Sequence, residues 1–184
     1  MEEPVSQTIQ SQPYTVEQDE KVVQLMVYVP GAFYRGEVVV KQMIRVSTWL
    51  RMNTAPDHIC LYNAKGMIST GPTPKLLQYS ELHVPVPQIQ ALHLVPPCVE
   101  PLDYDPTEPN RRMQAVVALM GSFRMDGCMR LTGSLSLRRY LETTREKFTS
   151  LYDVKISNLV INGMAPVTVP FVLLRQEAAI FGMG

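Results

Sequence analysis

Cysteine is scarce: Cys60, Cys98 and Cys128 are the three in 184 residues. An odd, widely spaced set makes neither a disulfide framework nor a Cys-x-x-Cys metal pair, and it fits a reducing compartment. No run of 18 or more apolar residues occurs, which excludes a membrane-spanning helix. Met1-Glu2-Glu3-Pro4 lacks the basic and apolar regions of a secretory signal, so the expected location is cytoplasmic. No glycine-rich loop is placed to cradle a phosphate, and Gly31, Gly36, Gly121 and Gly127 fit turns instead.

Net charge is also absent, but only as a sum. Residues 1–20 carry five acids and no base, and residues 98–110 carry four acids and no base. Residues 21–97 hold seven Lys/Arg against three acids, and residues 111–184 hold ten against five. Each prospective folded unit is therefore mildly basic, and each prospective tail or linker is acidic. Such a layout serves solubility, or lets acidic segments compete with an anionic partner.

What is present is a repeat. At an offset of 90, Gln24, Val27, Gly31 and Phe33 match Gln114, Val117, Gly121 and Phe123. The offset is 91 for Gly36/Gly127, Trp49/Tyr140 and Leu50/Leu141, and 90 again for Leu61/Leu151, Tyr62/Tyr152 and Lys65/Lys155. One residue inserted in a turn and one removed in a loop account for the changes. The chain then divides into a flexible polar arm (1–20), a first β repeat (21–97), a stiff, solvated, acidic Pro-rich linker (98–110) and a second β repeat (111–184).

Within the first repeat, Val22–Val29 and Phe33–Val40 read as a hairpin around Pro30-Gly31. Val46, Trp49 and Leu50 give one face of a short helix, closed by Asn53-Thr54-Ala55-Pro56. His58–Asn63 reads as a strand, Gly71-Pro72-Thr73-Pro74 as a loop, and Leu82–Val95 as an extended stretch at a sheet edge, because Pro85 and Pro87 cannot donate to a central ladder. The second repeat follows suit with strands Met113–Met120, Phe123–Leu131, Phe148–Ile156, Val167–Leu174 and Ala178–Phe181. Its helix runs through Leu137, Tyr140 and Leu141, with Ser134 or Ser136 as N-cap. Val169-Pro170 echoes Val86-Pro87 at a shorter distance from the preceding Tyr, which assigns an extra loop to the first copy. The expected fold is mainly β with one short helix per repeat: two small bent β-barrel or sandwich units related by an approximate two-fold.

Arg45-Val46-Ser47 with Trp49-Leu50 behind it, then a strand ending Leu61-Tyr62-Asn63-Ala64, resembles a bacterial tandem-repeat domain of unknown function. In that family an Arg-x-Ser-Asp-x-Leu-Asn element precedes a β-strand. Thr48 stands at the Asp position here, and the second copy has Ser136-Leu137-Arg138. The resemblance implies tandem β units and no chemistry.

Residues able to do chemistry are sparse. His58 and Cys60 share a face of one strand, as a base and nucleophile or two ligands would. A Cys between Ile59 and Leu61 is ordinarily a small core residue, and the second copy has Phe148 and Ser150 there. His83 and His93, with Cys98 after them, would lie roughly 33 Å apart on a straight strand. Glu37, Asp126 and Asp153 stand beside turns rather than paired in an apolar setting. No catalytic, metal or cofactor-binding set is assigned.

Arg138, Arg139 and Arg145, with Arg45 at the matching helix, form the one candidate anion-binding cluster. Single-strand binding would add exposed aromatics from among Tyr34, Trp49 and Tyr140, although the last two occupy apolar helix positions. Met26, Met43, Met120 and Met129 would form an adaptable interface if they shared an exposed side. The expected function is a non-enzymatic structural or protein-interaction component of a homo- or hetero-oligomeric assembly, without membrane insertion. The alternative is a regulatory nucleic-acid- or anion-binding small β-barrel using the arginine cluster.

Overall fold

The computed structural model describes residues 13–52, 54–68, 73–101 and 103–183. Its elements are β1 (Glu20–Val29), β2 (Ala32–Lys41), α1 (Val46–Trp49), β3 (His58–Ile68), β4 (Lys75–Pro85), a short 3-10 helix (Val86–Gln88) and β5 (Ala91–Leu94). The same order then recurs: β6 (Arg111–Met120), β7 (Phe123–Thr132), α2 (Leu137–Thr143), β8 (Phe148–Asn158), β9 (Val167–Arg175), a 3-10 helix (Gln176–Ala178) and β10 (Ile180–Gly182). β-branched, alternating stretches form the strands, and the helices are short because turn sequences flank them. Most of the expected arm, residues 1–12, lies outside the described residues, as do Gly71 and Pro72 of the expected loop.

All ten strands belong to one antiparallel sheet, ordered β10-β6-β7-β8-β9-β5-β1-β2-β3-β4. The sheet is open, so the expected separate barrels are replaced by two five-stranded halves hydrogen-bonded through β5 and β9. There Ala91 pairs with Leu174 and Leu92 with Leu173. Each half carries its own apolar core. Val23, Leu25, Val27, Ile59 and Leu61 lie in the first, and Val116, Met125, Leu131, Leu151 and Val172 in the second. The cores trade residues across the junction: Phe148 packs in the first, and Tyr28, Phe33 and Ala91 pack in the second.

Register corrects two expectations. Val29 faces Ala32 across Pro30-Gly31, and Met120 faces Phe123 across Gly121-Ser122. The two hairpins therefore correspond at an offset of 91. Gly31 is second in its turn and Gly121 first, both at positive φ. The matches at 90 in this hairpin are slipped by one residue, which would put side chains on the wrong face. Val169 pairs with Val154 as Tyr79 pairs with Ala64. The counterpart of Val169 is thus Tyr79 rather than Val86, and the first half carries no extra loop within these strands.

Gly36 and Gly127 sit where the β2–β3 and β7–β8 registers shift by one. A Cβ on Gly36 would lie 2.9 Å from Leu61 Cβ, and one on Gly127 would lie 3.0 Å from Tyr152 O. Glycine is required at these bulges because the neighbouring strand backbone approaches so closely.

The acidic linker is mostly exposed, at 98, 99, 101 and 105–110, but two of its acids turn inward. The side chains of Glu100 and Asp103 are nearly inaccessible. Glu100 accepts the Val46 N–H at the start of α1 (2.8 Å) and pairs with Lys21 (3.2 Å). It supplies the cap that Arg45 does not. In α2 the cap is Ser136, which accepts from Arg139 N. Among the described residues no helix is long and apolar enough to cross a membrane.

Candidate functional site

The distinctive local geometry lies where the two halves meet. β9 ends at Arg175, whose guanidinium is buried. Its Nε donates to Ile89 O and its Nη2 to Val86 O, both at 2.7 Å, and its backbone N–H donates to Gln90 O at 2.7 Å. The guanidinium carbon stands 4.5 Å from the centroid of the Phe148 ring. One side chain of the second half thus satisfies two carbonyls of the first.

Beside this contact runs a groove of about 550 Å³, lined in part by Arg51, Asp57, Arg145, Glu146, Lys147 and Arg175. Arg51 is engaged: it bonds Ser150 Oγ and lies 3.7 Å from Asp103. Asp103 also accepts from Tyr152 OH at 2.7 Å. Burial, then the Asp103 carboxylate, pushes the Tyr152 phenol far above its ordinary pKa, so it remains a donor. Arg145 and Lys147 have no ion-pair partner among the described residues.

The arginine cluster is split. Arg138 is exposed and tied to Glu142 at 2.8 Å. It lines a shallow depression with Arg139, while Arg145 faces the junction groove and Arg45 stands before α1 in the other half. Trp49 and Tyr140 are half-buried against the cores, and Tyr140 OH lies 2.8 Å from Thr149 Oγ1. Neither ring is presented for stacking on a base.

The structure brings Cys60 together with Glu81 and His83, and not with His93 or Cys98. His83 Nε2 is 2.8 Å from Glu81, whose carboxylate accepts from Cys60 Sγ at 3.3 Å. Ligand atoms of all three lie within 4.8 Å of one another on the exposed face of β3 and β4. Zinc-type donors gather there, one short of a closed structural set. Burial, the largest cause, holds the Cys60 thiol above its ordinary pKa. Long-range strand register decided this grouping, and spacing along the chain carried no sign of it.

His93 is a core residue. Its Nδ1 donates to Leu94 O (2.7 Å), so Nε2 accepts from Tyr28 OH (3.1 Å). Burial lowers its pKa below the usual value, so it folds neutral. The unfolded chain takes up a proton near pH 6.5 and the folded one only lower. Stability from this group is therefore full above that pH and falls as pH drops through the window, by up to about 1.4 kcal/mol per unit. Urea midpoints at pH 7.5 and 5.5 check this: His93→Gln is expected to show a smaller drop than the parent.

The methionines do not share a side. Met120 and Met129 are buried, Met26 is partly buried and Met43 is exposed. The exposed apolar side chains include Leu76 and Tyr79 on β4, Ile180 on β10 and Met183 just beyond it. Among the described residues the outer edges of β4 and β10 pair with no strand. No family model, curated protein or solved structure matches this chain.

Proposed function

We propose that the chain is a non-enzymatic component of an assembly, built by duplication of a five-stranded unit and acting through protein–protein contact at its sheet edges. The observation that carries this reading is the open sheet. β4 is an eleven-residue edge strand bearing exposed Leu76 and Tyr79. Soluble proteins blunt or cover edges of that kind because a free row of N–H and C=O groups recruits further strands. The recurring element order and the paired bulges at Gly36 and Gly127 support the duplication.

Light scattering on the purified protein tests this. The expected mass in concentrated solution exceeds the 20.8 kDa of one chain at both low and high salt, because apolar and main-chain contacts tolerate salt. A 20.8 kDa monomer at every concentration counts against self-assembly. Nucleic acid that co-purifies and is released at high salt would favour the anion-binding alternative using Arg138, Arg139 and Arg145.

A further inference from the structure

We propose that this chain joins a second copy of itself head to tail, β10 of one copy pairing with β4 of the next as β5 pairs with β9 inside the chain. The inference rests on the assembly reading and names its partner and register.

β4 and β9 correspond at an offset of 90, since Val84 pairs with Ile59 as Leu174 pairs with Thr149. Tyr28, which pairs with Ala91, corresponds to Leu119, which pairs with Ile180. Ala91 and Leu92 of β5 are therefore matched by Ile180 and Phe181 of β10. Inside the chain the joint sets β5 of one half against β9 of the other. The counterpart of β9 is β4, and the counterpart of β5 is β10. A joint between unlike edges is heterologous, and it leaves its own two halves open at the ends of the molecule.

Exposure follows the same logic on the β10 side, while Val84 on β4 is already buried within its own half. Ala91, Leu92, Leu173 and Leu174 are all 0% exposed. At the open ends Ile180 is 72% exposed, and Leu119 is 37% exposed where its counterpart Tyr28 is 2%. Transferring the internal register places Ile180 opposite Val84 of the second copy and Phe181 opposite His83 of the second copy. A strand seated there covers Ile180 and satisfies main-chain groups on both edges.

The external joint is the weaker one. Pro85 stands at the position of Arg175, so it lacks both the N–H that bonds Gln90 O and the guanidinium that bonds Ile89 and Val86. Dilution is expected to separate copies while each chain stays folded.

The test uses a background with Cys60→Ala, Cys98→Ala and Cys128→Ala. Ile180→Cys and Val84→Cys variants are prepared separately, mixed dilute, concentrated and oxidised. Disulfide-linked dimers are expected from the mixture and from neither variant alone. Cross-linking within one variant means that like edges meet and overturns the proposal. No cross-link in the mixture, with a multimeric mass retained, overturns this joint and leaves the assembly reading standing; a monomeric mass overturns both. Should the cysteine-free background not fold, Ile180→Lys in the native chain is decisive. It is expected to reduce the mass to that of one chain with unchanged circular dichroism, and an unchanged multimer overturns the proposal.

Discussion

Phe148→Ala is expected to destabilise the chain by about 3–5 kcal/mol, the range for removing a large aromatic from a core that cannot collapse onto the gap. Phe148 is 1% exposed, and although it opens β8 of the second half it packs in the core of the first. The loss therefore strikes the bond between halves as well as one core. Equilibrium urea unfolding should show a lower midpoint with an unchanged slope, and the melting temperature should fall by about 10 °C for a chain of this size. Phe148→Leu keeps most of the volume and should cost under about 1.5 kcal/mol. Equal effects of Ala and Leu would mean that the cavity is not what matters.

Arg175→Met is expected to cost about 3–5 kcal/mol. Methionine retains the length of the stem and removes the guanidinium. Ile89 O and Val86 O then lose the donors that reach them at 2.7 Å. Val86 O keeps the Ile89 N–H at 3.1 Å, whereas Ile89 O is left as a buried acceptor without that donor, a loss of about 1–3 kcal/mol to which the lost second bond and the lost ring contact add. Removing a buried charge returns some desolvation energy, which keeps the total within that range. Because the guanidinium also stacks on Phe148, the double variant should lose less than the two single losses combined. Strict additivity in a denaturant cycle would show that the two side chains act independently.

Much of the fold was legible because it is local. Apolar stretches bounded by turn residues marked β1, β2 and β6–β9, and Val46/Trp49/Leu50 and Leu137/Tyr140/Leu141 marked both short helices. Ser136 could be named as a cap candidate because capping is set by a single residue and its neighbours. What failed was register. Matching Gly31 to Gly121 aligned two turns that place glycine at different positions, and the structure slips that hairpin by one. The Pro-rich acidic stretch read as solvated because composition cannot show that Glu100 finds the start of α1, or that Asp103 finds Tyr152 and Arg51. The candidate site was the least legible part. Arg175 falls in the gap between the expected strands Val167–Leu174 and Ala178–Phe181, although it closes the junction, and the Cys60–Glu81–His83 group depends on the pairing of β3 with β4.

Amide hydrogen exchange across β4, resolved by residue and followed over a range of protein concentrations, decides whether this edge takes a partner strand. If β10 of a second copy docks on β4, the N–H groups pointing away from β3 at its Leu82–Val84 end are protected in concentrated solution and lose that protection on dilution, while the core strands stay protected throughout. Exchange of those amides at unprotected rates at every concentration would contradict the account and leave β4 as a bare edge with no partner strand.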